Sequence, residues 1–405
     1  MTGIGVRLPG APDVGALWRL LAAGAEAVGP ARLGTGLARA GHIAAPTRSI
    51  ATACGIAADE AARMDPQQLV LLDVVRTALA DSGDLPRVGG TRTAVYVGQS
   101  ASDSWDARAG AAELDLRDFA GCHQRGLTAG RVSHTFDLRG PAVTVDAAQA
   151  SSLVAVHHAV RALRTGDADI AIAAGVNLIS SDRPARMLGA GGALSVEGRC
   201  KFGDAEADGF VRAEGAVAVV LRPLDSALAD GSPVHAVILG SAVSNDGSAK
   251  ESLLHPSVEG QTAAMRWSHA DAGTDTSDVD YVEAHGTGTR IDVAELTALT
   301  DVLGPRGRPC LVGSVKTNIG HAEAAAGLAG LAKAVLCLRE RAVPASLHHS
   351  TPHPGVDWDR VPLVVPRALT PLPRRAGPSI VAVNGQSISS TNVHVVLAAA
   401  PGRLS

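Results

Sequence analysis

Two histidines and a glutamine occupy the positions in this chain that could carry chemistry. His285 closes an apolar run in VEAHGTGT (282–289), with the hydroxyls of Thr287 and Thr289 beside it. His321 ends KTNIGH (316–321) at the mouth of a small-residue helix, with Lys316 and Asn318 upstream and Glu323 just beyond. An imidazole at the carboxyl end of a strand can move a proton or aim an N–H at developing negative charge. The third segment, VDAAQASSLVAVHHAV (145–160), reads as a strand, a tight turn and a helix, a common way to present a nucleophile. At its tip stands Gln149, whose amide donates and accepts hydrogen bonds but is no nucleophile. Singly, each feature has a structural explanation, since Thr and Gly are standard turn and cap residues and Lys316 could be solvated or paired with Glu323. The combination of two histidines in two glycine-rich junctions with a third strand–turn–helix points to a site.

These residues need a scaffold of buried strands and helices, and the sequence supplies one. The chain has 405 residues, 46% hydrophobic and 19% charged, which excludes disorder and allows two domains or two packed halves. Apolar, β-rich runs at 91–98, 140–147, 168–175, 217–223, 234–243, 279–286, 310–316 and 393–398 alternate with helical periodicity, as in an α/β protein with both sheet faces covered. Helices are expected over 64–83, stopping at Gly83, and over 151–166, where Leu153, Val156, Val160 and Leu163 form one stripe. The unit AVTVDA–turn–helix in the first half is echoed by LVGSVK–TNIGH–helix in the second, which suggests a duplicated fold with the site between halves. We place the halves at 1–233, carrying Gln149, and 234–405, carrying His285 and His321. The glycine-rich stretch 183–210 reads as a long loop near the site.

Composition also narrows the partners. A net charge of −4 and 2% aromatics leave neither a basic field nor stacking platforms for nucleic acid. Cys54, Cys122, Cys200, Cys310 and Cys337 are widely spaced, with no ligand or disulfide pattern, so no metal is expected. The N-terminus lacks the pattern of a signal peptide, and the longest apolar run is broken by Lys333, so a cytoplasmic protein without a membrane span is expected.

The segments VDAAQASSLVA, VEAHGTGT and GSVKTNIGHAEAAAG closely resemble the ketosynthases of modular polyketide synthases. EAARMDPQQ (60–68), GRVSHTFDLRGPAVTVDA (130–147), KFGDAEADGFVRAEGA (201–216) and TNVHVVL (391–397) match that family in the same order. The resemblance implies a thiolase-like, five-layered αβαβα fold of two related halves, usually a homodimer. It implies no bound cofactor, with the substrate carried on the phosphopantetheine of an acyl carrier protein. In the family the elbow residue is a cysteine that takes the acyl chain, while two histidines decarboxylate a malonyl thioester and stabilise its enolate. With Gln149 at the elbow, acylation has no nucleophile; its NH2 group is expected to join the two histidines as a donor in the enolate pocket, and the chain resembles the loading ketosynthases that decarboxylate malonyl- or methylmalonyl-carrier protein to make a starter unit. The same resemblance gives Thr287 and Thr289 to the pantetheine amides, and Lys316 with Glu323 to a charged pair bracing the His321 loop.

Three departures from the family pattern stand near the site. Gln386, Ser387, Ile388, Ser389 and Ser390 fill a gating loop where glycines and phenylalanine are expected, which should stiffen it. The segment after HGTGT reads RIDVAE, one residue shorter than the usual Gly-Asp-Pro turn, and Ala147 and Ala150 replace Thr and Ser around the elbow. Two other functions remain open at this stage. One is a non-catalytic, chain-length-factor-like partner in a heterodimer with an active ketosynthase, although such partners typically lose the histidines too. The other is a cysteine-independent acyltransferase using His285 or His321 as base.

Overall fold

The computed structural model describes residues 1–405 except 33, 102, 109–115, 119–120, 122–123, 249, 251, 253, 376 and 403–405, so Cys122 lies outside the described residues. Two sheets dominate. The first contains β1 (Gly3–Arg7), β2 (Thr93–Gly98), β3 (Ala142–Val145), β4 (Ile170–Asn177) and β5 (Gly215–Leu221), in the order β3-β2-β4-β5-β1. The second contains β6 (Ala236–Asn245), β7 (Val279–Glu283), β8 (Cys310–Gly313), β9 (Leu363–Val364), β10 (Ile380–Gln386) and β11 (Thr391–Ala399), in the order β9-β8-β7-β10-β11-β6.

The duplication is visible in the topology. In each sheet the third strand of its half pairs in parallel with the second, the second with the fourth, and the fifth joins antiparallel between the fourth and the first. The two-residue β9 is an addition at the outer edge of the second sheet. The crossover helices repeat as well. They are α1 (Pro66–Asp81), α2 (Leu127–Phe136) and α3 (Ser151–Thr165) in the first half, and α4 (Val258–Ala272), α5 (Ile291–Leu303) and α6 (Ala326–Glu340) in the second.

Local sequence explains where these helices start and stop. The Asp65 carboxylate accepts the Gln67 N–H at 2.9 Å and Pro66 opens α1, a position that loses nothing by lacking an N–H. Gly166 ends α3 with φ 75°, a left-handed conformation that a residue without Cβ adopts freely.

Burial makes five layers. Helix α1 covers β1, β4 and β5 through Val70, Leu71, Val74, Val75 and Leu79. Helices α3 and α6 fill the space between the sheets, and every residue of α6 from Ala326 to Leu338 is buried. Helices α4 and α5 cover the far face of the second sheet, where Leu296, Leu299 and Leu303 meet Val279, Val282, Val312 and Val396. All residues of β4 and β5 are buried, so they read as continuous apolar runs. No described helix is long and apolar enough to cross a membrane.

Three features differ from the sequence reading. Strands β1 and β10 were not expected, because glycines and polar residues interrupt GIGVR and IVAVNGQ. Gln386 is therefore the last residue of a strand, paired with Asn392, and the connecting turn spans 387–390. The stretch 183–210 is not wholly irregular, since Arg183–Ala190 forms a helix with Pro184 in its first turn.

The start of α3 sits very close to the first sheet. A Cβ on Gly98 of β2 would lie 2.5 Å from the Ser152 N and 2.6 Å from the Ser151 carbonyl carbon, both backbone atoms that cannot swing aside. We expect Gly98→Ala to destabilise the fold by about 1–3 kcal/mol through overpacking, read as a lower urea midpoint at unchanged slope.

Candidate active site

The elbow forms where β3 runs into a single 3-10 turn, Ala148–Ala150, and then into α3. Ala148 adopts φ 48°, a left-handed conformation that costs a residue with a Cβ about 1–2 kcal/mol. Hydrogen bonds hold it there. Its N–H donates to Asp146 Oδ1 at 3.1 Å, and the Ser151 hydroxyl donates to its carbonyl at 2.6 Å while accepting the Ala147 N–H at 2.9 Å. The strained turn projects Gln149, half-buried, whose Oε1 accepts the N–H of Ile388 at 3.2 Å. Ile388 belongs to the turn between β10 and β11, so the amide ties the elbow to the gate.

His285 and His321 converge beside it. Their ring centroids are 5.4 Å apart with an interplanar angle of 79°, and both side chains are buried. The 3-10 turns 148–150 and 323–325 pack on each other, and β10 packs on the first of them, which brings the three segments together. Each imidazole is fixed in the same tautomer. The His321 Nδ1 accepts the Glu323 N–H at 3.0 Å, and the His285 Nδ1 accepts the Gln386 N–H at 3.3 Å. A nitrogen that accepts carries no proton, so in both neutral rings the proton lies on Nε2. Burial, then the nearby Lys316 ammonium, push both histidines well below the usual imidazole range, with Arg212 adding to the effect on His321. Both rings therefore stay neutral and offer an Nε2–H.

Buried carboxylates hold the His285 loop. Glu295 accepts the N–H of His285 at 2.7 Å, that of Gly286 at 2.9 Å and the Asn384 amide at 2.8 Å. Asp292 accepts the N–H groups of Thr287 and Gly288 at 3.0 Å each and that of Gly203 at 3.2 Å. Burial and the neighbouring Glu295 push Asp292 up to about 7. Sequence reasoning missed both residues as site supports, although their i, i+3 spacing at the start of α5 places them on one face under the glycine-rich turn. Glu283 joins the two histidine loops. It ends β7, accepts the Val315 N–H at 2.6 Å, and is paired with the fully buried Lys333 at 3.0 Å and with the Tyr281 hydroxyl.

The expected Lys316–Glu323 pair does not form. Lys316 turns the other way and donates its ammonium to the carbonyl of His285, and burial lowers its pKa while Glu283 and Glu295 oppose that. Glu323 pairs instead with Arg212, Nε to Oε1, at 2.5 Å. Asn318 is fully buried and donates its side-chain amide to the Ala25 carbonyl at 3.0 Å. Thr287 is buried, its hydroxyl 2.9 Å from that of Thr289, which is half-exposed.

The gate is stitched from both ends. The Gln386 side chain is buried and donates to Gln261 Oε1 at 2.9 Å. The Ser387 and Ser389 hydroxyls lie 2.6 Å apart, the Ser390 N–H donates to the Ser387 carbonyl at 3.1 Å, and Lys250 holds the Ser390 hydroxyl. Ile388 remains 53% exposed at the tip, so this turn offers an apolar side chain at the surface of the site.

A duplicated five-layer fold with an elbow and two converging imidazoles defines the class, and sequence comparison assigns the family. Residues 1–227 match the model of the beta-ketoacyl synthase N-terminal domain, and residues 235–350 that of the C-terminal domain. The chain belongs to the beta-ketoacyl synthase family and has its thiolase-like fold. It is 42% identical over 424 residues to polyketide synthase GfsA of Streptomyces halstedii, covering 98% of this chain and 6% of that protein. It is 44% identical over 351 residues to a phenolphthiocerol/phthiocerol polyketide synthase of Mycobacterium tuberculosis, covering 84% of this chain and 18% of that protein. The chain thus spans a small part of these relatives. Among solved structures, the ketosynthase from module 6 of the bacillaene synthase of Bacillus subtilis 168 superposes with a TM-score of 0.91 at 30% identity, over 98% of this chain and 71% of that one. An oxazolomycin ketosynthase domain of Streptomyces albus gives 0.90 at 31% identity, over 99% and 73%.

The lowered histidine pKa values give a spectroscopic expectation. In 15N-histidine spectra of the purified protein, His285 and His321 should remain neutral, with Nδ1 unprotonated, as the pH falls through the ordinary imidazole value of about 6.5. Titration of either ring near that value would contradict the geometry.

Proposed function

We propose that this ketosynthase-like domain decarboxylates a malonyl- or methylmalonyl-type thioester on the phosphopantetheine of an acyl carrier protein, making a starter unit for polyketide assembly. The observation that carries this reading is the pair of neutral imidazoles, each with its Nδ1 capped by a backbone N–H, beside an elbow that holds an amide. The carboxylate leaves as CO2, and the electron pair of the broken C–C bond becomes an enolate with its charge on the thioester oxygen. The Nε2–H groups of His285 and His321 donate to that oxygen, and the enolate carbon then takes a proton from water. Neutral donors suit this step, because they stand ready to stabilise the charge as it develops, without prior reorganisation.

Gln149 has a separate role. Its Oε1 accepts the Ile388 N–H, which ties the gate turn to the elbow. No acyl transfer follows, because an amide forms no thioester intermediate. The described cysteines offer no substitute: burial pushes Cys200, Cys310 and Cys337 each up to about 12, and Cys54 is raised as well. The more exposed Thr289 presents its hydroxyl to the pantetheine, while Thr287 braces the turn through Asp292. A homodimer through β3 fits the same picture. This strand is the outer edge of the first sheet among the described residues, and its Val143 is 45% exposed.

The test is steady-state CO2 release from malonyl-carrier protein. His285→Ala and His321→Ala should each lower kcat about 10²- to 10³-fold, as loss of one oxyanion donor does elsewhere. Gln149→Ala removes one gate hydrogen bond and should cost about 2- to 10-fold. Histidine variants as active as the parent would sink the proposal.

A further inference from the structure

Arg212 is fully buried, 111 residues from its partner in sequence, and its chain runs directly alongside His321. Backbone hydrogen bonds bind the two segments: the His321 N–H donates to the Val211 carbonyl at 2.7 Å, and the Ala213 N–H to the His321 carbonyl at 2.8 Å. From this position the Arg212 Nε reaches Glu323 Oε1 at 2.5 Å. Glu323 is itself unusual. It has φ 45°, a left-handed conformation that a residue with a Cβ rarely adopts, and its N–H is the one that caps the His321 Nδ1. A strained residue persists only when its surroundings over-determine it. Here the side chain is anchored by the guanidinium and the backbone is anchored by the imidazole.

We propose that Arg212 is a positioning residue for His321: its ion pair holds Glu323 in the left-handed conformation that delivers the Glu323 N–H to the His321 Nδ1, which keeps the proton on Nε2. The catalytic part of this inference rests on the decarboxylase reading, and the structural part does not. Without the anchor, Glu323 relaxes toward negative φ, its N–H swings off the ring, and both imidazole tautomers become accessible. The Nε2 then lacks a proton for part of the time and cannot donate to the oxyanion.

The variants that test this are Arg212→Met and the double variant Arg212→Met/Glu323→Gly. Glycine adopts positive φ without a side-chain anchor, and the double variant leaves neither member of the buried pair alone. The tautomer of His321 is read from long-range 1H–15N correlations on 15N-histidine-labelled protein, assigned with a His321→Ala variant. The parent should show only the Nε2–H form. Arg212→Met should show mixed tautomers and a kcat lowered about 10-fold with KM little changed, and the double variant should recover the single tautomer and most of kcat. A single Nε2–H form and full kcat in Arg212→Met would overturn the proposal, as would mixed tautomers in the double variant. If Arg212→Met does not fold, the tautomer of the double variant decides alone. If the parent releases no CO2 while the tautomers shift as described, the decarboxylase reading fails and the role of Arg212 stands.

Discussion

Two imidazoles held uncharged, in one tautomer and out of water are the constraint on which the rest of this structure depends. An exposed histidine would titrate near neutral pH and sample both tautomers. Here each Nδ1 is capped by a backbone N–H, from Glu323 for His321 and from Gln386 for His285. Those N–H groups stand where they do because their segments are themselves anchored, one by the Arg212–Glu323 pair and one by the pairing of β10 with β11. Burial disfavours the charged ring, and the ammonium of Lys316 adds to that. Lys316 is also a strut, since it holds the carbonyl of the very residue whose ring it keeps neutral.

The duplicated topology explains why these parts meet. In each half the third strand enters a turn and a helix that lies in the middle layer, so the two turns face each other between the sheets. The first turn carries Gln149. The second carries His321, and the neighbouring β7 delivers His285. Small residues let the layers close: glycines at 98 and 175 allow the start of α3 to approach the first sheet within distances that any Cβ would block. The burden falls on buried charges. Glu283, Asp292, Glu295, Lys316 and Lys333 are all nearly inaccessible, and each is tied to backbone groups or to an opposite charge. A buried ion pair contributes little net stability but is costly to break, so such a network specifies one arrangement of the loops.

Much of this was legible in the sequence, and the remainder was hidden for identifiable reasons. The two halves, most strands and the three site segments followed from apolar runs, from the echo of strand–turn–helix units and from a recognisable set of motifs. Strand β10 was obscured because Asn384, Gly385 and Gln386 look like loop residues; they are strand residues here because each is buried and satisfied by a distant side chain or by β11. The sequence-neighbour pairing of Lys316 with Glu323 was wrong because the chain turns at Gly320, with φ 81°, and sends the two side chains to different partners. Arg212 lies in a segment that carries the resemblance, KFGDAEADGFVRAEGA, but nothing local in DGFVRAEG marks its arginine as buried or as a partner of Glu323. Asp292 and Glu295 lay inside the stretch that reads as a departure from the family pattern, yet they carry the hydrogen bonds that hold the His285 loop.

In the proposed reaction this domain generates the enolate and never takes the acyl group itself. Intact-mass measurement of both proteins after incubation of the purified chain with malonyl-carrier protein tests it most directly. The carrier should pass from malonyl to acetyl while the mass of the domain stays unchanged. An acyl adduct on the domain, or a carrier that keeps its malonyl group, would contradict it.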